Sequence, residues 1–441
     1  MSLRRYAPLA LAALALGCKP DIEQRANATT VDYAAFNPPS MLPLPNDIAL
    51  SQVAAFVDGP YAAYPCNLTG TAQGTALCAF ARAGGFPASD VAAIGYTGAV
   101  GIGFLRGTLG ADGAISYAPA PTSEAMDVAN TVTGQFAGLT TTPTLGIVDL
   151  TAAAPVTTAT AAFTAASGKL ALTPSGGAWT AGHRYAVLVL GGARGPKTLT
   201  GGTYTAMPPF YILREAVIAD LDLSKPENQG LFPGDAAAKA ASGTALEALR
   251  ASYETLYSIG GFGAAAAAMG LPFEDAISLQ TFQIAPGTGT VTIGSGTEPA
   301  TAPSVTGGAG VTALVDTFTL QSNLGTATVA AVTFDLTAGA AAVDTLFVSN
   351  SPACPSAPTP PVMTFGTSAT VAANGSITIP MTTYPPAGLT AATTLYVCAN
   401  TKAPGASTAV NGTVTSVAFF PGTTYTSATS GDSADAGLTV N

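Results

Sequence analysis

The chain has 441 residues, a formal charge of −10 at neutral pH, and only 9 % charged residues, against ~25 % in an average soluble domain. Its 49 Gly and 33 Pro, with abundant Ala and Thr, describe a surface of hydroxyls and small side chains. They exclude the clustered Lys and Arg that nucleic-acid binding requires. Lys402 is the only basic residue after Arg250, so an anionic surface repels this chain.

Arg4 and Arg5 open the sequence, and Leu9 to Leu16 contains only Leu and Ala. That run is the length of a signal-peptide core; a helix needs roughly twenty residues to cross a bilayer. Gly17-Cys18 ends it in the manner of a bacterial lipobox, although Ala15 stands where the usual pattern has Leu. The expectation is a signal peptide over 1–17, lipidation at Cys18, and a polar tether over 18–30. Removing residues 1–17 takes away Arg4 and Arg5 and no acid, so the formal charge becomes −12. The location expected is the bacterial cell envelope, as an outer-membrane lipoprotein facing the periplasm or the cell surface. The partner that follows directly is the membrane, through the N-terminal lipid.

Prolines at 38, 39, 43 and 45 exclude a helix over 36–47. Short apolar stretches bounded by Gly, Pro or Asp then recur at Val100 to Leu105, Leu145 to Leu150, Lys169 to Leu172 and Arg184 to Leu190. They read as strands of an antiparallel, two-layer fold. After Pro208-Pro209, residues Phe210, Leu213, Val217 and Leu221 recur at helical spacing. Thr244 and Glu247 have the spacing of a capping box, with Leu246, Leu249, Tyr253, Leu256 and Tyr257 following on one face. This predicts a helical pair over about 208–260, inserted into a β domain over 31–288. Ile277 to Ile284 returns to strand pattern.

A Gly- and Thr-rich linker is expected over 289–310, followed by a C-terminal β-sandwich over 311–441. In Val332-Thr-Phe-Asp-Leu336 the apolar residues share one face. Thr393 to Cys398 and Thr413 to Phe420 continue the pattern.

With Cys18 lipidated, Cys66, Cys78, Cys354 and Cys398 form an even set in an oxidising compartment. Three pairings are possible. Cys66–Cys78 and Cys354–Cys398 are favoured, because each then lies inside one folding unit. The segment between Cys66 and Cys78 reads as a loop with little apolar material.

Four segments, in order, resemble the N-terminal immunoglobulin-like module of bacterial surface (virulence-factor) lipases. They are Phe36-Asn-Pro to Pro43-Leu-Pro-Asn-Asp-Ile48; Gly146-Ile-Val-Asp-Leu-Thr151; Leu170-Ala-Leu-Thr-Pro174 with Trp179 to Val187; and Leu246-Glu-Ala-Leu-Arg-Ala-Ser-Tyr253 with Asp275 to Phe282. The resemblance spans residues 30–285 and implies Ig-like β-sandwich units in tandem at the cell surface. It implies no activity. The hydrolase domain of those lipases carries Ser within Gly-x-Ser-x-Gly, and no serine here has glycines at both positions.

The remaining chemistry is sparse. His183 is the only histidine, so any Ser-His-Asp site must use it, and a two-histidine metal site is excluded within one chain. Asp220 and Asp222, like Glu274 and Asp275, read as turn and cap residues, and Asp432 and Asp435 fit no calcium loop of known mechanism. No catalytic residue, metal ligand or cofactor is expected. Trp179, Tyr185 and Tyr204 are either core aromatics or a carbohydrate platform. The reading that follows is a non-catalytic binding or scaffold module, with an envelope protein or glycan as partner. The alternative is an accessory module working with a separate lipase.

Overall fold

The structure, a computed structural model, describes residues 30–36, 42, 44–57, 62, 65–88, 90–91, 96–110, 115–119, 145–156, 159–174, 176–196, 202–232, 234–258, 262–263, 266, 270–297, 303–356, 362–387, 391–421, 423, 425–429 and 437–441. The expected signal peptide, Cys18, the tether before Thr30, and Asp432 and Asp435 lie outside them.

The first elements are β1 (Thr30–Ala34), α1 (Asp47–Ser51), α2 (Ala72–Arg82), β2 (Asp90–Val91), β3 (Tyr96–Thr97), β4 (Val100–Leu109) and β5 (Ile115–Pro119). Next come β6 (Leu145–Asp149), β7 (Ala154–Pro155), β8 (Ala159–Thr164), β9 (Lys169–Pro174), β10 (Arg184–Leu190), β11 (Thr205–Ala206), α3 (Pro208–Ile218), α4 (Ala236–Ser258) and β12 (Ala276–Gln283). The C-terminal strands are β13 (Gly289–Ser295), β14 (Ser304–Val305), β15 (Thr312–Ser322), β16 (Ala327–Ala338), β17 (Val343–Ser349) and β18 (Thr364–Thr367). After them come β19 (Gly375–Pro380), β20 (Pro386–Ala387), β21 (Thr393–Thr401), β22 (Thr408–Phe419), β23 (Tyr425–Thr429) and β24 (Leu438–Val440). The chain is mainly β, as its composition implied.

The chain divides into two compact units, but not at the expected place. One unit comprises residues 1–45, 100–177 and 185–281; the other comprises 46–99, 178–184 and 282–441. The domain expected over 31–288 is therefore split, and its segment 46–99 belongs with the C-terminal strands. The linker expected over 289–310 also contains β13 and β14.

In the first unit, one sheet runs β11-β1-β4-β9-β8 with β5 added to β4, and another runs β12-β10-β6-β7. Alternation places Ile102 and Phe104 of β4 with Leu170 and Leu172 of β9 in the core, each at most 1 % exposed. Helix α3 begins at Pro208 and Pro209 and buries Phe210, Leu213 and Val217, as its spacing predicts. Phe36 stacks edge-on against Phe210 at 5.1 Å and meets Tyr253 of α4 at 6.5 Å. The Tyr253 hydroxyl donates to the Leu279 carbonyl, 2.7 Å away.

The capping box is overturned. Helix α4 starts at Ala236, so Thr244 and Glu247 lie in its interior. Asp235 caps the helix by accepting from Ala238 N at 2.9 Å. Glu247 instead accepts from Leu223 N at 2.7 Å and from Arg250 Nε at 2.9 Å.

In the second unit, two sheets run β18-β17-β21-β15-β13-β23 and β14-β24-β22-β16-β19, with β20 on β16. Their inner faces fill one core that includes Val291, Phe318, Leu320, Val332, Phe334, Leu336, Val397 and Val414, the arrangement of a two-layer sandwich. The cross-linked segment 65–88 packs against this sandwich. Thr326 N donates to the Arg82 carbonyl at 2.8 Å, and Asn67 Nδ2 donates to the Thr382 carbonyl at 3.0 Å. Phe80 meets Phe86, Tyr96 and Phe420 with ring centroids 6.0–6.5 Å apart.

Asp47 holds the start of this segment. Its Oδ2 accepts from Arg184 Nε at 3.0 Å and its Oδ1 from Gln283 N at 2.9 Å. The preceding Asn46 caps α1 through Ile48 N at 2.9 Å. The Pro-Asn-Asp motif is thus a fastening in the fold.

Tyr425 donates its hydroxyl to the Leu324 carbonyl at 2.6 Å, and burial pushes its pKa up to about 12. A raised folded pKa favours the neutral phenol. Its contribution is present below the ordinary tyrosine value near 10 and is lost as pH rises through about 12. The Tyr425→Phe variant should lose that part of the alkaline destabilisation, which denaturant titrations between these pH values will measure. An unchanged pH dependence would show that Tyr425 does not contribute it.

Candidate functional site

Among the described residues, the side chains singled out from the sequence have defined places. The His183 backbone N donates to Thr180 O at 3.2 Å, and its carbonyl accepts from Ile284 N at 2.9 Å. This fixes it just before β10, half-buried. Among the described residues, no three His, Cys, Asp or Glu side chains gather as metal ligands.

The acidic residues of the helical region are engaged in caps and ion pairs. Asp220 ends α3 at φ 50°, with Arg250 Nη1 3.9 Å from its carboxylate. Asp222 accepts from Ser224 N at 3.0 Å and from Ser224 Oγ at 2.6 Å, which with Lys225 holds its pKa below the ordinary carboxylate value. Arg250 lies between Glu247 and Glu254, each at 2.8 Å. The Glu247 hydrogen bonds hold the guanidinium above its ordinary pKa. Glu274 and Asp275 close a short turn before β12, with Asp275 3.6 Å from Arg194. The Arg250 pairs follow helix spacing, and the Asp275 pair sits at a turn.

The carbohydrate platform is excluded. Trp179 and Tyr185 are 3 % exposed and Tyr204 is fully buried. Trp179 donates to the Gly98 carbonyl at 2.8 Å and meets Phe282 edge-on at 5.3 Å. Tyr204 packs on Phe104 with ring centroids 4.4 Å apart. A ring with its face covered by core side chains has no surface to stack on a sugar.

The cysteines pair as favoured: Cys66 with Cys78 and Cys354 with Cys398, at Cα separations of 5.5 and 5.7 Å. All four are fully buried. The second bridge sits in an apolar cluster with Phe347, Leu314 and Tyr396. Burial withholds both bonds from a solution thiolate, the opposite of what a redox exchange site requires.

Sequence reasoning missed the order within the first bridge. Thr71 caps α2 by accepting from Gly74 N at 2.9 Å, and Leu77, Ala79 and Phe80 are buried. It also missed Arg82, 3 % exposed, which donates to the carbonyls of Phe56 and Ala62 at 2.9 Å. Burial lowers the Arg82 pKa to about 10, which still leaves it charged at neutral pH. A lone arginine on an Ala-rich segment carries no such signal in sequence.

Two outcomes follow from this burial. Emission from Trp179 should be blue and weakly quenched by acrylamide, with no response to added saccharides; strong quenching or a saccharide-dependent shift would contradict the packing. Cross-links spanning 12 and 44 residues should stabilise by about 3 and about 4 kcal/mol on the chain-entropy model. Dithiothreitol should therefore cleave them only at the rate of unfolding, and fast reduction of folded protein would show that they are accessible. Compared with known proteins, the chain matches no family model, no curated protein and no solved structure.

Proposed function

We propose that this chain is an exported, lipid-anchored protein of the bacterial cell envelope, built from tandem Ig-like units and acting as a non-catalytic binding or scaffold module. One observation carries the reading: the apolar run Leu9 to Leu16 ending at Gly17-Cys18. Two buried disulfides support it, because such bonds persist in oxidising compartments. The low charge and single histidine support binding through loops and sheet edges over acid–base chemistry. A resemblance to the N-terminal module of surface lipases favours a second reading, an accessory module that assists a separate hydrolase.

Labelling with radioactive palmitate in a bacterial host tests the anchor. The parent chain should incorporate label and Cys18→Ala should not; equal labelling would refute lipidation at Cys18. Ester hydrolysis by the purified chain, abolished by one Ser substitution, would overturn the non-catalytic reading. Co-purification with a lipase from solubilised envelope would decide for the accessory role.

A further inference from the structure

The β4–β5 hairpin has two faces of opposite character. Its register pairs Leu105 with Pro119, Gly107 with Tyr117 and Leu109 with Ile115, while β1 sets Tyr33 opposite Leu105. Directly paired residues share a face. One face therefore carries Tyr33, Leu105, Tyr117, Leu109 and Ile115, with the two tyrosine rings 5.8 Å apart, edge-on. The other carries Thr108, Ser116 and the ion pair in which Arg106 Nε and Nη2 donate to Asp32 at 2.8 and 2.9 Å.

The end of the hairpin is exposed on both faces, while Tyr33, Leu105, Arg106 and Tyr117 are half-buried. Leu109 is 48 % and Ile115 42 % exposed, and Thr108 and Ser116 are exposed on the reverse face. Among the described residues, Leu109, Ile115 and Ile218 are the exposed large hydrophobic side chains, and two of these three are direct neighbours here. The two are joined across one strand pair and are not scattered single side chains.

The path of the chain indicates what that surface meets. Strand β1 begins at Thr30, which pairs with Thr108, the residue before Leu109. Strand β1 therefore begins beside Leu109. Residues 18–29 precede β1, and twelve residues reach at most about 40 Å when fully extended. A membrane anchor at Cys18 thus holds the hairpin tip within that distance of the lipid. Tyrosine prefers the membrane–water boundary and aliphatic side chains the apolar side of it, which is the order found here. The acidic charge of the chain argues for a zwitterionic surface.

We propose that Leu109, Ile115, Tyr33 and Tyr117 form a membrane-contact face, by which the β4–β5 hairpin seats on the bilayer that holds the N-terminal lipid. This rests on the lipoprotein reading, and its test is separable from the test of that reading. The mature chain from Cys18 is linked through the Cys18 thiol to a maleimide-headgroup lipid. The vesicles contain phosphatidylethanolamine and phosphatidylcholine with brominated acyl chains. The linkage is chemical, so the result does not depend on whether a cell lipidates Cys18.

Trp179 is the only native tryptophan and is buried, so a second tryptophan reports its own position. Leu109→Trp and, separately, Ile115→Trp should shift to the blue and lose emission to the brominated chains. Ala162→Trp is the control: Ala162 is exposed on β8, at the level of Gly101 and so at the far end of β4 from Leu109. It should keep its emission. Quenching at 109 and 115 no greater than at 162, in variants with unchanged circular dichroism, would overturn the proposal. So would a concentration-dependent dimer of the unlinked chain that Leu109→Ser abolishes, because the face would then be covered by a second copy. Absence of palmitate at Cys18 in cells, with quenching at 109 intact on the vesicles, would remove the anchor reading and leave the lipid affinity of the hairpin standing.

Discussion

A two-layer β fold must close its ends as well as its faces, because strand ends expose backbone groups and core side chains together. In the C-terminal unit that closure is made by a segment distant in sequence. Phe86 N donates to Gln283 O at 2.7 Å and Phe86 O accepts from Ala285 N at 2.8 Å, while Thr326 N donates to Arg82 O. The Phe86 bonds tie the segment to the end of β12, the Thr326 bond ties it to the sandwich, and Phe80 places its ring against Phe420. Cys66 lies 4.0 Å from Thr328, 262 residues away in the chain. The Cys66–Cys78 bridge limits the freedom of a segment that packs against the sandwich. Arg82 serves the same end from within, drawing the carbonyls of 56 and 62 onto α2.

Much of this fold was legible in the sequence where one face alone is buried. The alternation in Val332-Thr-Phe-Asp-Leu336 corresponds to buried Val332, Phe334 and Leu336 with half-exposed Thr333 and Asp335. Strands β4, β6, β9, β10, β12, β21 and β22 cover the stretches read as strands. The two disulfides were legible for a similar reason, since each pair is close in sequence. Legibility failed where small residues obscure the period. The first turns of α4 are Ala-Ala-Ala-Lys-Ala-Ala-Ser-Gly, with no apolar stripe to find. Its Gly243 leaves room for the Leu223 carbonyl, which a Cβ would meet at 2.4 Å. Gly243 is there a contact surface.

Small residues also obscure β13, within the expected linker. Val291 and Ile293 are fully buried on one face of β13, and Thr290 and Thr292 face the other way. The flanking glycines suggested flexibility. At Gly296 a Cβ would instead meet Thr317 Cγ2 at 2.2 Å, so the residue is small because a neighbouring strand crosses it closely. The domain boundary was illegible for a different reason. Contacts between 46–99 and the C-terminal strands join residues far apart in sequence, such as Cys66 and Thr328, and composition does not change where the chain passes between units.

Candidate sites were legible mainly as exclusions, and the distribution of charge shows why. Before residue 276, ion pairs join Arg106 to Asp32, Arg184 to Asp47, Arg194 to Asp275, and Arg250 to Glu247 and Glu254. Polar groups of the C-terminal strands pair through hydroxyls and amides, as where Thr337 donates to Asn411 O at 3.0 Å and Asn400 to Thr345 at 2.7 Å. Neutral hydrogen bonds of this kind are little affected by salt, and their net contribution is about 1 kcal/mol each. A surface so constituted gives a sequence reader no charged cluster to follow. What distinguishes one part of it from another is geometric: where backbone edges, buried bridges and two exposed aliphatic side chains fall. Those positions depend on strand register, which a single sequence constrains only where its alternation is strict.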